Sequence, residues 1–160
     1  MSEFRVEKRR AAAEVTLASG LTLRGSFFLA GSSASHTGPE RVADLLNTES
    51  GFFPFEVDAA SGRETALYNR SHLVCVKLLE DGGEARLDPG YELATERQVA
   101  MLLSNGRRIS GAVRVYRPAG RDRLSDYARS SDAFRYLEAA DATFIVNSTH
   151  IVELRETAKG

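Results

Sequence analysis

LSNGRRISG, residues 103–111, places an Asn-Gly pair between two apolar segments. Asn-Gly is the strongest short signal for a β-hairpin, because both residues tolerate a positive φ. A related stretch, LASGLTLRG, occupies residues 17–25, where Ser19 and Gly20 stand in place of the Asn-Gly pair. The glycines of the two stretches align without a gap, Gly20 and Gly25 with Gly106 and Gly111. We therefore expect two equivalent hairpins.

Three further blocks of sequence recur in the same order in the second half of the chain. Residues 41–47 correspond to 123–129, Phe52, Phe55 and Glu56 to Phe134, Leu137 and Glu138, and residues 67–74 to 145–152. An ordered set of matches indicates an internal duplication, because chance can supply one such block but not a series. The expected organisation is a basic N-terminal segment (1–13), a first β-rich repeat (14–79), a linker (80–97) and a second β-rich repeat (98–160).

Each repeat is expected to follow the element order β-β-α-β-β-β. Apolar residues alternate from Val15 to Leu29, which predicts two half-buried strands around the first hairpin. Apolar residues at i, i+3 and i+4 predict a short helix over residues 40–47, with a counterpart over 122–128. Three short strands are expected after each helix: 52–57, 65–68 and 72–78, then 134–138, 143–146 and 150–154.

Two glycines lie inside predicted strands, Gly25 and Gly111. Glycine in a strand marks a bulge, a sharp bend or a close approach of another backbone. A strongly bent second strand is what a small barrel requires. The expected fold is therefore mainly β with short helices, arranged as two tandem small bent-sheet barrels.

The composition indicates a folded chain with no strong overall charge. Of 160 residues, 42% are hydrophobic and 27% charged, and 21 Lys plus Arg face 22 Asp plus Glu, so that the whole-molecule field does not favour polyanions. No apolar stretch has the length of a signal peptide core or a membrane span. The single cysteine, Cys75, lies in an apolar run and is expected to be buried. These features favour a cytoplasmic protein without a membrane partner.

The element order and two motifs together resemble the Sm-like fold, the five-stranded bent barrel of Sm, LSm and bacterial RNA-chaperone proteins. The first family motif is an apolar strand, Asn or Asp followed by Gly, and a second Gly five residues later. Leu103 to Gly106 with Gly111 is similar to it, and residues 67–76 and 145–154 are similar to the second motif, two apolar strands around a tight polar turn. The resemblance implies barrels that associate through strand edges and, in the RNA-binding members, a turn that contacts a base.

The tight turn of the second motif holds the first set of candidate binding residues. His72 and His150 take equivalent places after the turn, and an Asn precedes each of them by three residues. The resemblance nominates Asn69, Arg70, His72, Asn147 and His150. The alternative is structural, because Asn readily shapes a turn through its own backbone and a His can cap a strand edge with a hydrogen bond.

Positive charge in the second repeat supplies the other candidates. The basic run consists of Arg107, Arg108, Arg114, Arg117, Arg121 and Arg123. A basic strand can follow a phosphate backbone, and single-stranded nucleic acid also needs aromatic side chains for stacking. Arg107, Arg108 and Arg114 are therefore candidates for single-stranded RNA binding, with a solvated basic face as the alternative.

An Arg and an Asp three residues apart occur on both predicted helices, Arg41 with Asp44 and Arg123 with Asp126. Either pair could take part in recognition. A salt bridge characteristic of the fold is the alternative, and such a pair on an exposed helix adds only about 0.2–0.5 kcal/mol.

The sequence offers few residues for catalysis or metal binding. His36 lies in a Ser-rich loop with no nucleophile fixed beside it, and the chain has no Cys pair, no His-x-x-x-His and no phosphate-loop pattern. We expect neither an enzyme nor a bound cofactor or metal. The expected function is a non-enzymatic protein-interaction or assembly module that associates with itself or with another protein. Single-stranded RNA binding is the alternative, and a small-ligand domain at the junction of the repeats is a third possibility.

Overall fold

Ten strands and two short α-helices make up most of the part of the chain that the structure describes. The computed structural model describes residues 8–31, 38–48, 51–80, 83–116, 123–129 and 132–157. The strands are β1 Lys8–Leu17, β2 Thr22–Ala30, β3 Phe52–Ala59, β4 Gly62–Asn69, β5 Leu73–Leu78, β6 Thr95–Leu103, β7 Arg108–Val115, β8 Phe134–Glu138, β9 Thr143–Asn147 and β10 Ile151–Glu156. The helices are α1 Val42–Thr48 and α2 Leu124–Ala128.

All ten strands form one antiparallel sheet. The strand order is β10-β6-β7-β8-β9-β5-β1-β2-β3-β4. The first half of the chain contributes β5-β1-β2-β3-β4, and the second half contributes its own strands in the same permutation, β10-β6-β7-β8-β9. The prediction of a mainly β chain with short helices is therefore confirmed, and equivalent elements occur in the same order in both halves.

The structure does not show the two separate small bent-sheet barrels that were predicted, but one open sheet. Closure of the first half would require β4 to pair with β5, but β5 lies between β1 and β9, so that both of its edges are already occupied. The terminal strands β4 and β10 do not pair with each other either, and the sheet is open. Pairing between the halves has thus replaced pairing within each half.

The contact between β9 and β5, here called the internal junction, unites the two halves. Three residue pairs define its register, Cys75 with Val146, Val76 with Ile145, and Lys77 with Phe144. The hydrophobic cores extend across the internal junction. The core cluster of the first half includes Phe134 and Ile145, and that of the second half includes Val74 and Cys75. Each half therefore completes its hydrophobic core with residues of the other.

The two strand glycines mark a close backbone approach. A Cβ on Gly25 would lie 1.9 Å from the carbonyl oxygen of Glu56, and one on Gly111 would lie 2.6 Å from that of Glu138. Only glycine lets β2 and β7 come this close to β3 and β8. Of the three possibilities that the sequence left open, the structure shows the close approach.

The segment between the halves packs onto them. It contains two single 3-10 turns, Glu84–Leu87 and Tyr91–Leu93, and β6 begins at Thr95, inside the predicted linker. The predicted basic segment overlaps β1, which begins at Lys8. His36, Arg117 and Arg121 lie outside the described residues.

Neither helix in the described part of the chain is long and apolar enough to cross a membrane.

Candidate functional site

Two equivalent turns lie side by side at the internal junction. Arg70–His72 connects β4 to β5, and Ser148–His150 connects β9 to β10, each as one 3-10 turn. Because β9 pairs with β5, the end of β9 brings the second turn against the first. Asn69 and Asn147 precede the turns, and each side-chain oxygen accepts a hydrogen bond from the backbone N–H two residues later. The predicted residues of both turns are thus brought together.

Asn147 bridges the two turns. Its side chain is buried, and Nδ2 donates to the carbonyl oxygens of Leu73 at 2.9 Å and Arg70 at 3.4 Å. Its Oδ1 accepts hydrogen bonds from the backbone nitrogen and the hydroxyl of Thr149, at 3.1 and 2.8 Å. The amide of Asn147 therefore holds the first half of the molecule against the second.

His150 makes a second polar contact across the junction. Its Nε2 lies 2.7 Å from the carbonyl oxygen of Ser71, and its Nδ1 lies 2.7 Å from the hydroxyl oxygen of Ser104. A backbone carbonyl can only accept, so Nε2 carries a proton, and in the neutral ring Nδ1 accepts from Ser104. His150 therefore links the β6–β7 hairpin to the turn of the first half.

Asn69 and His72 occupy the same positions in the first half, but they face no second half. Oδ1 of Asn69 accepts from the backbone nitrogen and hydroxyl of Ser71, at 3.0 and 2.9 Å. Within the described residues, Nδ2 of Asn69 and the ring of His72 have no hydrogen-bond partner. The side chain of His72 is exposed. These two residues retain free polar groups at the surface.

Arg70 lies inside the first half. Its side chain is buried, and its guanidinium donates to the carbonyl oxygens of Phe52 at 2.6 Å and Leu45 at 3.0 Å. The guanidinium also lies over the ring of Phe53. Arg70 therefore ties α1 to β3 and offers little surface to a ligand.

The three candidate arginines of the second half do not share one site. Arg107 is exposed and lies over the ring of Phe144, and Arg108 faces Glu153 at 3.6 Å. Arg114 follows Arg108 by six residues on β7, which separates them by roughly 20 Å. It is partly buried, with its guanidinium 4.1 Å from the centre of the Tyr91 ring. Arg108 and Arg114 therefore do not belong to one continuous basic patch.

Apolar residues on the edge strands β4 and β10, and on β3 beside β4, are exposed although their equivalents in the other half are buried. Phe52, Leu67 and Val152 are 59%, 66% and 65% exposed. Their equivalents in the sequence alignment of the halves, Phe134, Ile145 and Val74, are 5%, 0% and 0% exposed. Burial of large apolar side chains stabilises a protein by about 1.5–3 kcal/mol each. The edges at β4 and β10 therefore present a version of the internal junction that has no partner.

A cleft of about 590 Å³ lies where α1 and the segment between the halves meet the second half. Its wall includes Arg41, Asp88, Tyr91, Arg114 and Tyr136. A cleft of this size can hold a small ligand. Its charged groups, however, are largely paired with one another.

One network in the cleft surrounds Arg41. Its buried guanidinium donates to both carboxylate oxygens of Asp44, at 2.9 and 3.1 Å, and to Asp88. Glu84 accepts from the hydroxyl of Tyr136 at 2.8 Å and from the backbone nitrogen of Val42 at 3.2 Å, at the start of α1. Burial raises the pKa of Glu84, and the hydrogen bonds that it accepts oppose the rise.

The other network surrounds Tyr91. Its hydroxyl donates to Glu138 at 2.8 Å and accepts from Arg114 at 3.1 Å. Burial and the hydrogen bond to Glu138 raise the pKa of the Tyr91 hydroxyl. Together the two networks hold α1 and the intervening segment against β7 and β8, so the cleft is foremost a polar seam between the halves.

Sequence reasoning predicted the two turns and expected association through strand edges, but it did not identify which strands form the edges, and it missed the cleft. The edges follow from which strands pair across the halves, and no local pattern encodes that choice. The sequence does contain a signal for the cleft, because Tyr91 is the single aromatic residue of the predicted linker. An isolated aromatic residue among turn residues indicates that the segment packs on something.

Among the described residues, no group of three His, Cys, Asp or Glu side chains is placed to hold a metal ion. Comparison of the chain with protein-family models, with curated proteins and with solved structures finds no match.

Proposed function

We propose that this protein is a non-enzymatic assembly module that associates with further copies of itself through β4 and β10. One observation carries the proposal: Leu67 and Val152 on the edge strands, and Phe52 on β3 beside β4, are exposed, whereas their equivalents in the other half are buried. An open sheet edge also presents unpaired backbone N–H and C=O groups, which another strand can satisfy. The same chain thus contains a formed junction and the two separate parts of a second one.

The two edges differ, and this fixes the direction of association. β4 is the equivalent of β9, and β10 is the equivalent of β5, so pairing of β4 with β10 of a second copy repeats the internal junction. In that register Leu67 lies opposite Leu154, as Ile145 lies opposite Val76. Head-to-tail pairing of unlike surfaces produces a ring if the rotation closes and a filament if it does not. The resemblance to ring-forming Sm-like proteins adds support.

The proposed contact is weaker than the internal junction. Glu153 on β10 stands where Cys75 stands on β5, and it pairs with Arg155 at 2.8 Å. Charged residues on an edge strand limit indiscriminate pairing. We therefore expect association that depends on protein concentration.

Light scattering and native mass spectrometry of the purified protein over a range of concentrations test the proposal. We expect oligomers of the unaltered chain, and dissociation into single chains for Leu67→Arg and for Val152→Arg, because each places a charge in the contact. Leu93→Arg is the matched control, since Leu93 is 92% exposed and lies outside both edge strands. The proposal is wrong if the unaltered protein stays a single chain at every concentration that it tolerates.

Single-stranded RNA is the alternative partner, and the same samples distinguish it. Arg108 and Arg114 are paired with acidic or aromatic residues, whereas Nδ2 of Asn69 and the ring of His72 have no hydrogen-bond partner among the described residues. RNA binding through phosphate contacts would weaken steeply as salt rises. Salt-dependent binding of short RNAs by a protein that does not self-associate would favour the RNA function instead.

A further inference from the structure

We infer that Asn69 and His72 form a polar clamp that docks onto the backbone of a second copy and sets the register of the β4–β10 pair. In this inference, which rests on the proposed function, Nδ2 of Asn69 donates to the carbonyl oxygens of Ser148 and Ile151 of the second copy. Nε2 of His72 donates to the carbonyl oxygen of Thr149 of that copy. The clamp is the turn Asn69–His72, and its target is the turn before β10.

The internal junction supplies the pattern for each contact. There Nδ2 of Asn147 donates to the carbonyl oxygens of Arg70 and Leu73, and Nε2 of His150 donates to that of Ser71. In the alignment of the two halves, the equivalents of these three acceptors are Ser148, Ile151 and Thr149. Every donor and acceptor of the proposed contact therefore exists already in the chain.

The free turn has the same backbone shape as the engaged one. Asn69 has φ −80° and ψ 124°, and Asn147 has φ −77° and ψ 115°. At the other end of the turns, Leu73 has φ −81° and ψ 117°, and Ile151 has φ −82° and ψ 112°. Binding would therefore require little rearrangement of the backbone, which reduces the cost of association.

The amide of Asn69 is also oriented before binding. Oδ1 of Asn69 is held by the backbone nitrogen and hydroxyl of Ser71, as Oδ1 of Asn147 is held by those of Thr149. With the oxygen held in this way, Nδ2 points to the same side of the turn in both halves. At the internal junction that side faces the neighbouring half, so in the first half it faces the place of a second copy.

His72 is the weaker member of the clamp. Its carbonyl oxygen accepts from the backbone nitrogen of Ala18 at 2.8 Å, as that of His150 accepts from Ser104 at 2.8 Å. The two histidines thus have equivalent positions beside their hairpins. Ala18, however, has no hydroxyl to hold the ring as Ser104 holds the ring of His150. Asn69 is therefore the main contributor, and His72 the lesser one.

The clamp favours unlike edges over like ones. Pairing of β4 with a second β4 would bring two sets of donors together and leave the carbonyl oxygens of both β10 turns unused. A buried donor without an acceptor loses its hydrogen bonds to water and gains none in return, so this arrangement is disfavoured. The clamp thus restricts the contact to head-to-tail association in one register.

Sedimentation velocity of Asn69→Asp tests the clamp. Aspartate keeps the oxygen that Ser71 holds but replaces the donor with an oxygen that repels the carbonyl acceptors. We expect the association constant to fall by about tenfold or more, with the melting temperature unchanged. Asn147→Asp is the matched variant, and we expect it to lower the melting temperature because it breaks the internal junction. Ala18→Ser should strengthen association by supplying the missing hydroxyl.

Comparison with Leu67→Arg separates the clamp from the assembly itself. Loss of association in both Asn69→Asp and Leu67→Arg supports the clamp. Normal association of Asn69→Asp, together with dissociation of Leu67→Arg, overturns the clamp and leaves the assembly function intact. Association that survives both substitutions overturns both proposals, because the contact must then lie elsewhere.

Discussion

At the scale of single residues, one backbone carbonyl oxygen beside each strand explains why Gly25 and Gly111 are glycines. The Cβ of an alanine would lie 1.9 Å from the Glu56 carbonyl oxygen in Gly25→Ala and 2.6 Å from the Glu138 carbonyl oxygen in Gly111→Ala. Because backbone must move in both cases, we expect each substitution to lower the free energy of unfolding by about 1–3 kcal/mol, with Gly25→Ala the more damaging. Urea unfolding measures the loss. Gly31→Ala is the control, since nothing lies within 4 Å of its Cβ, and an equal loss there would contradict the explanation.

Buried hydroxyls at the cleft make the protein sensitive to alkali. Burial raises the pKa of Tyr127 to about 12, and it also raises the pKa of Tyr91 and of Tyr136. The unfolded chain loses these protons near pH 10, before the folded chain does. The free energy of unfolding should therefore fall as pH rises from about 10 to 12, by on the order of 2 kcal/mol for Tyr127 alone.

Urea unfolding between pH 8 and pH 12 measures this loss. Tyr127→Phe removes one buried titrating hydroxyl and keeps the ring over which the guanidinium of Arg135 lies. We therefore expect this variant to match the unaltered protein at pH 8 and to lose less stability at pH 12. A pH profile identical to that of the unaltered protein would contradict the assignment.

At the scale of the elements, the two helices carry the same Arg-Asp pair in different surroundings. Arg41 and Asp44 are buried, and Asp88 also binds Arg41, whereas Arg123 is exposed and lies 3.7 Å from Asp126. Arg41→Met removes the buried cation that Asp44 and Asp88 share, and we expect it to cost about 3–5 kcal/mol. Arg123→Met should cost at most about 1 kcal/mol, since solvent screens that pair. Thermal unfolding compares them, and equal losses would refute the distinction.

The elements themselves were largely predictable from the sequence. Period-two alternation and the Asn-Gly turn placed the strands of each half, and the spacing of apolar residues placed α1 within two residues of its observed start. The sequence could not distinguish Arg41 from Arg123, because burial of Arg41 depends on Glu84 and Asp88 in the segment between the halves. That segment was predicted as a linker from its glycines, which describe its turns but not its packing.

At the scale of the whole molecule, the sequence did not predict whether each half closes into a barrel or joins one open sheet. A strand pattern specifies which face is buried but not which strand lies alongside, so two barrels and one open sheet have the same local signature. The repetition of the turn in both halves drew attention to the candidate residues, but for the same reason the sequence could not assign different roles to them. Asn69 and Asn147 shape identical turns, and only the position of each half in the sheet separates the buried amide from the free one.

The internal junction has a further consequence, because β5 and β9 belong to one polypeptide. Covalent connection gives the two strands an effective concentration that can reach the millimolar range, so their contact persists however dilute the protein becomes. A contact between β4 and β10 of separate chains has no such support and depends on protein abundance. Dilution would therefore release whole chains and leave the halves together, so that the smallest unit of the proposed assembly is one whole chain.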